Sequence, residues 1–415
     1  MVDEEPKKFG CGALWEARTI ISFWWLGLCN NYGYVVMLSA AHDILSDFDV
    51  EDHVESPFIR DCNTLSTGVI LLADIVPTMM VKVIAPFLPL MIFVRMAGVV
   101  LLSAIGFVLV ASRIDKLVVL LGVVCTSFSC GLGETTLLSY MVFFKTQNVI
   151  STWSSGTGGA GILGAGSYAG LIAAGLSPSA AIWIMLIVPT VQAVCFVFFI
   201  DHPKTDVKIE ESEIPTEADL LTCEQKMSLL PVLLIRYMAP FGLVYLFEYF
   251  INQGLFELLY FPNSFLTHHQ QYRMYQLLYQ IGVFISRSSM NIVKIDWLWV
   301  MAILQFCNVV LFTCEVMQGF ITFLAIMMVL VVWEGLLGGG CYVNTYRRIA
   351  SEMERDQRQF SMGICGVADA LMITLAGILA NPAHNSLCNA AKTYPYINPR
   401  KSKYFLRFFL KNKYD

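Results

Sequence analysis

The chain has 415 residues, 56% of them hydrophobic and only 14% charged, with a formal net charge of −5. So few charges cannot cover a water-soluble protein of this size, and without a basic excess there is no face for nucleic acid. The composition points instead to a polytopic protein whose partner is the lipid bilayer.

Apolar runs of about 20 residues, each enough to cross a ~30 Å hydrocarbon core, recur along the chain. In order, the predicted spans are Thr19–Ala41, Thr64–Pro86, Leu88–Ser112, Leu117–Phe144, Val149–Leu176, Ala180–Ile200, Leu229–Gln253, His268–Ser288, Trp297–Met317, Phe320–Cys341 and Phe360–Asn381, about eleven in all. The polar segment 1–18 precedes them, and the first span is too long for the apolar region of a secretory signal. The longest polar stretch between spans, 201–228, separates a six-helix bundle over 19–200 from a five-helix bundle over 229–381, with a basic tail over 382–415. That is the layout of a two-bundle secondary transporter. A single bundle with one long loop is the alternative.

Lysine and arginine asymmetry sets the orientation. With a cytosolic N-terminus the inner set includes Lys7, Lys8, Lys82, Lys145, Lys204, Lys226, Lys294, Arg347 and Arg348, against Arg60, Arg113, Lys116 and Arg273 outside. The first outer loop, His42–Asp61, carries seven acids and is expected to be irregular. The basic tail would then lie outside after eleven spans, against the rule, and Tyr404–Leu410 is too short for another span. A surface-lying amphipathic segment suits it better. The twelve cysteines show no metal-ligand spacing and read as buried thiols, with a Cys62–Cys388 disulfide as one option. No cofactor or metal is expected, and no nucleophile–base arrangement suggests an enzyme.

Polar residues inside spans carry the functional signal, because a charge at mid-membrane needs a partner or a wet cavity. The carboxylates are Asp74, Glu134, Glu248, Glu334 and Asp369, with Arg287 as the main cation. Glu134 follows Gly131 and Gly133, and Glu334 precedes four glycines between Gly335 and Gly340. Tyr245, Glu248 and Asn252 share a helical face. In span five, Gly156, Gly158, Gly159, Gly161 and Gly164 lie among the hydroxyls of Thr152, Ser154, Ser155 and Thr157. Such small residues let helices approach closely. Asn252-Gln253-Gly254 interrupts span seven, and Asn30, Asn31 and Gly33 mirror it in span one. Paired breaks at equivalent places point to a solute site in unwound backbone; interhelical hydrogen bonding is the plainer alternative.

Six blocks carry a family resemblance: Leu26–Leu45 (LGLCNNYGYVVMLSAAHDIL), Gly131–Glu134 (GLGE), Trp153–Gly161 (WSSGTGGAG), Glu248–Leu259 (EYFINQGLFELL), Gln270–Ser289 (QQYRMYQLLYQIGVFISRSS) and Glu334–Thr345 (EGLLGGGCYVNT). In these the chain resembles the battenin family of lysosomal membrane proteins, associated with juvenile neuronal ceroid lipofuscinosis. The resemblance implies an all-α fold related to the major facilitator superfamily and residence in late endosomal and lysosomal membranes. It also implies clearance of small solutes, with glycerophosphodiesters leading, basic amino acids such as arginine as an alternative, and a part in lysosomal pH. Three features depart from it. No Asp-Arg signature joins spans two and three, and no Asn-x-Ser/Thr sequon occurs. The prenylation-like Cys388-Asn-Ala-Ala is followed by residues to Asp415, whereas prenylation needs its cysteine four residues from the end, which leaves the family's lipid anchor an open question here.

The resulting expectation is a transporter of a small polar solute. Asn30, Asn31, Tyr34, Ser154, Ser155, Tyr245, Asn252, Gln253 and Arg287 would bind the solute. Glu134, Glu248 and Glu334 would carry a coupling proton, since burial penalises the charged form of a carboxyl group. His268 and His269 are a second possible pH sensor. Spans one, four, seven and ten would line the path, with span five packed through Gly158–Gly164. The rival is a trafficking scaffold that docks partners, still unknown, through 201–228.

Overall fold

The computed structural model describes residues 11–46, 66–144, 146–200, 202, 221–261, 264, 266 and 268–393. Every regular element among them is helical. The order is α1 (Cys11–Ser46), α2 (Ser66–Ile84), α3 (Ile92–Ser112), α4 (Lys116–Tyr140), α5 (Thr146–Ala173), α6 (Pro178–Ile184) and α7 (Ile187–Val194). It continues with α8 (Cys223–Leu233), α9 (Ala239–Phe250), α10 (His268–Ser288), α11 (Leu298–Gln318), α12 (Leu324–Glu352) and α13 (Arg355–Thr393). α6, α7 and a π turn at Cys195–Phe199 form one rod, Pro178–Phe199; α8 and α9, joined by π turns, form another, Cys223–Leu258. Those two rods, α3, α4 with its 3-10 extension, α11, α12 and α13 to Leu387 are the seven helices among the described residues that are long and apolar enough to cross a membrane.

Local sequence sets the ends. Asp115 accepts a hydrogen bond from Leu117 N at 3.2 Å and opens α4. Thr222 and Gln225 form a reciprocal capping box at α8. Gly319, at φ +61°, closes α11 with its N–H on Glu315 O. The π turn Leu234–Met238 precedes Pro240, which has no N–H for the Arg236 carbonyl four residues back; the widened turn absorbs that gap.

Three sequence expectations change here. α1 runs unbroken through Asn30, Asn31 and Gly33, so the first span has no interruption, and it continues through His42–Ser46. Around Asn252-Gln253-Gly254 the helix does not unwind but widens into the π turn Ile251–Leu255 before a 3-10 turn at Phe256–Leu258. Backbone groups have no water to turn to at this depth, so the chain keeps them bonded within the helix. α13 passes Pro382 and ends at Thr393, beyond the expected end of the last span. The rest of the first outer loop, most of the 201–228 segment, residues 394–415 and Cys62 lie outside the described residues, as do the side chains of Cys388, His268 and His269.

Polarity is inside out. Val94, Phe198, Ile303 and Val329 are exposed, whereas Asp74, Lys82, Glu134, Arg287, Glu334 and Asp369 are buried. A bilayer around the helices accounts for this pattern. Among residues 11–200, α1 packs on α5 and α4 on α2 and α3; among 223–393, α10 packs on α12 and α9 on α11 and α13. Across the two, α5 meets α10, and α13 meets α2 and α4.

Glycines set how closely these helices pack. A Cβ on Gly156 would strike the Trp24 backbone of α1, and one on Gly164 would sit 3.1 Å from Val35. On another face of α5, Gly158 lies against Phe284 and Arg287 of α10, and Gly161 against Gln280. α12 meets an adjoining face of α10 in the same way, with Gly335 on Tyr279 and Gly339 on Val283 and Ser286. The small-residue stretch of span five thus packs as expected, and two adjoining faces of α10 each rest on glycines.

Candidate functional site

Two buried cations organise the interior. Lys82, near the C-terminal end of α2, places Nζ 2.8 Å from Glu134 Oε2 of α4 and 3.1 Å from both carboxylate oxygens of Asp369 on α13. Asp369 Oδ1 also accepts from its neighbour Ala370 N at 2.7 Å. The cluster holds one positive and two negative groups and ties α13 to α2 and α4. Charge counting places Lys82 among the cytosolic-side residues, but it is buried. The signal is present in the sequence, because Lys82 falls four residues before the end of the predicted second span.

Arg287, in the last turn of α10, is held differently. One terminal nitrogen donates to Thr157 Oγ1 of α5 at 2.7 Å, the other to Tyr245 OH of α9 at 2.9 Å. The guanidinium lies 4.1 Å over the Tyr342 ring of α12. No carboxylate is within ion-pair reach of it among the described residues, and its Nε has no hydrogen-bond partner there. A buried guanidinium held by neutral groups keeps its charge for an anion, and its planar fork suits a phosphate or carboxylate.

Tyr342 joins the two sites. Its hydroxyl donates to Glu134 Oε1 at 3.2 Å and accepts from Trp153 Nε1 of α5 at 3.3 Å, while its ring carries Arg287. Tyr342 and Thr157 are absent from the solute set that the sequence suggests. A tyrosine two positions beyond a glycine run, on a helix with a buried carboxylate, is the available sign.

The remaining residues divide into two kinds. Some hold helices together. Asn30 donates to Cys130 O at 3.1 Å and to Asn31 Oδ1 at 3.3 Å, and a Cβ at Gly133 would collide with its amide. Ser155 bonds Trp24 Nε1 at 3.2 Å and Ser288 Oγ at 2.9 Å. Tyr34 donates to Tyr249 OH at 3.0 Å, linking α1 to α9. Others are buried polar groups with spare capacity. Glu248 accepts from Tyr279 OH through Oε1, and its Oε2 has no partner among the described residues. Glu334 meets Gln305 at 3.5 Å through one oxygen only. Both carboxylate oxygens of Asp74, Ser154 Oγ and Asn252 Oδ1 are likewise unpartnered, and Gln253 is half-buried. Glu134, Arg287 and Tyr245 therefore converge around Tyr342. Glu334 sits instead in an α11–α12 contact with Gln305, which in turn accepts from Asn308.

The family profile described as CLN3 protein matches residues 21–220 and 208–390. Battenin of the dog, Canis lupus familiaris, is 42% identical over 416 residues, covering 92% of this chain and 94% of its own. Protein BTN1 of Yarrowia lipolytica is 35% identical over 390 residues, covering 89% and 94%. Among solved structures, the human organic anion transporter MFSD10 superposes with a TM-score of 0.61 at 13% identity, covering 95% of this chain and 99% of its own. The E. coli fucose:proton symporter FucP gives 0.51 at 11% identity, covering 91% and 97%. At such identities these likenesses speak for the fold, which is of the major-facilitator type.

Proposed function

This chain belongs to the CLN3 protein family, the battenins, and on that premise we propose that it exports small anionic solutes, glycerophosphodiesters foremost, across the lysosomal or late endosomal membrane. Its N-terminus would face the cytosol, with segments 19–200 and 229–381 acting as the two moving bundles and 201–228 as the linker between them. The observation that carries this reading is Arg287, a buried guanidinium with only neutral partners, drawn from α5, α9 and α12. A phosphodiester needs a cation of this kind, and the hydroxyls of Ser154, Thr157 and Tyr245 suit its glycerol end. Glu134, Glu248 and Glu334 are the groups proposed to carry a coupling proton.

A second reading, export of arginine, rests on the unpartnered oxygens of Glu248 and Glu334. Liposomes containing only this protein decide between the two. We expect uptake of radiolabelled glycerophosphoinositol that collapses in Arg287→Gln. Uptake of arginine alone, reduced by Glu248→Gln, would favour the second reading. Flux of neither solute would leave a trafficking scaffold.

A further inference from the structure

Tyr342 touches both charged sites with different parts of one side chain. The phenol oxygen donates to Glu134, whose other oxygen is 2.8 Å from Lys82, and the ring face lies 4.1 Å under the Arg287 guanidinium. The indole of Trp153 donates to the same phenol, so the ring is held from α5 as well. Tyr342 itself is 2% exposed, which excludes a solvated hydroxyl whose hydrogen bond would be incidental. Through this one residue the contacts reach α2, α4, α5, α10, α12 and α13. Resting on the anion-export reading above, we propose that Tyr342 is the positioning residue that couples solute binding at Arg287 to proton binding at Glu134.

The physical chain is short. A phenol that donates to a carboxylate becomes more electron-rich, and an electron-rich ring holds a cation more firmly. While Glu134 is ionised, the Tyr342 ring therefore retains Arg287. When a proton from solution adds to a Glu134 oxygen, the phenol loses its anionic acceptor and the ring's hold weakens. The guanidinium is then free to turn its fork to an incoming anion. Lys82 keeps Asp369 as its partner, so the cluster goes from one excess negative charge to none, which removes a repulsion toward that anion. Proton and anion thus favour each other, and by linkage the bound anion raises the proton occupancy of Glu134 in equal measure.

The other titratable groups near Glu134 are accounted for. Cys130 lies one turn back on α4, Cys365 and Asp369 face it from α13, and Tyr346 from α12. Asp74 of α2 and Tyr34 of α1 reach the same stretch of α4 at Cys130. On α3, Arg95 is turned to the Ala85 and Leu88 carbonyls. None of these groups hydrogen-bonds Tyr342, although the Tyr346 ring lies 4.9 Å from its ring, and Glu248 of α9 acts on Arg287 through space without bonding it.

The test uses the full chain in nanodiscs and equilibrium binding of radiolabelled glycerophosphoinositol, whose phosphodiester stays anionic throughout. Wild type should bind more tightly as pH falls, by about tenfold once Glu134 has taken up its proton. Tyr342→Phe keeps the ring and should still bind, with the pH dependence reduced to about twofold or less. Glu134→Gln should bind tightly at every pH. A wild-type pH dependence in Tyr342→Phe overturns the coupling. If wild type does not bind, or Arg287→Gln binds equally well, the solute reading fails. The coupling is then judged without solute, from melting temperatures of Glu134→Gln and Arg287→Lys, singly and together. Their effects should be non-additive with Tyr342 present and additive in the Tyr342→Phe background; equal non-additivity in both overturns the proposal.

Discussion

Lys82 and Arg287 are both cations buried among apolar helices, yet their surroundings treat the charge in opposite ways. Lys82 has two carboxylates within 3.1 Å, from two further helices. Arg287 has two hydroxyls and a ring. A buried charge with full counter-charge is costly to separate, because taking away one member strands the others in a low dielectric. A buried charge with neutral partners is held without being cancelled. The first arrangement locks helices together, and the second leaves charge available to a ligand.

The sharpest way to break this comparison is to remove each cation in turn. Lys82→Met leaves Glu134 and Asp369 facing each other without a counter-ion and should cost about 3–5 kcal/mol of stability. Thermal unfolding in detergent should show a larger loss for it than for any substitution at Arg287; a wild-type melting temperature would mean that the cluster is no lock. Arg287→Gln leaves only hydroxyls and a ring behind, so its stability cost should be nearer about 1–3 kcal/mol. Solute flux should nevertheless fall by about a hundredfold. Arg287→Lys should recover stability better than flux, since an ammonium cannot span Thr157 and Tyr245 as a planar fork does.

A gentler contrast comes from one glycine beside each cation. A Cβ on Gly158 would sit 3.1 Å from Phe284 Cα and 3.3 Å from Arg287 Cδ, tighter than ordinary contact. A Cβ on Gly366 would sit 3.6 Å from Lys82 Nζ, an ordinary contact. Gly158→Ala should therefore lower flux several-fold by displacing Arg287, whereas Gly366→Ala should leave flux unchanged and gain helix propensity of up to about 1 kcal/mol. Equal flux in the two variants would show that the α5–α10 approach does not position the guanidinium.

The smallest effect is expected in the loop between α10 and α11. Arg347 donates to Asp296 and holds its carboxyl below the usual carboxylate range. A depressed folded value means that Asp296 contributes stability above its unfolded pKa and that the contribution is lost as pH falls through the lowered one. The group is exposed, so solvent screens most of the benefit. Asp296→Asn should shift the melting temperature slightly at neutral pH and not at all in strong acid, as a pH series of melting curves would show.

The class of fold is legible directly, because twenty-residue apolar runs have few meanings. The charged sites are legible only in part. Glu134, Asp369 and Arg287 stand out as charges within spans, but pairing is a long-range property: Lys82 and Asp369 are 287 positions apart. A counting rule that sees charge and not burial assigns Lys82 to the loops. The supposed break at Asn30 and Asn31 fails for a related reason. Two amides and a glycine look like an interruption in one dimension, but in the fold Asn30 spends its amide on the Cys130 carbonyl and α1 stays whole. The π turn at Ile251–Leu255 is closer to expectation, since something non-α does occur there.

The two glycine faces around α10 have a mechanical consequence. Interlocked side chains resist sliding, whereas backbones that meet across glycine do not interdigitate. At Gly158 the α5–α10 boundary meets the Phe284 backbone and thus resembles a plain bearing, and the Gln280 side chain seated at Gly161 and the pairs Thr157–Arg287 and Ser155–Ser288 act on it as detents. A carrier needs surfaces that move past one another without opening a void to protons. A seam that is stepped by a few side-chain contacts would suit such movement, and one of its detents is the guanidinium proposed above to hold the solute.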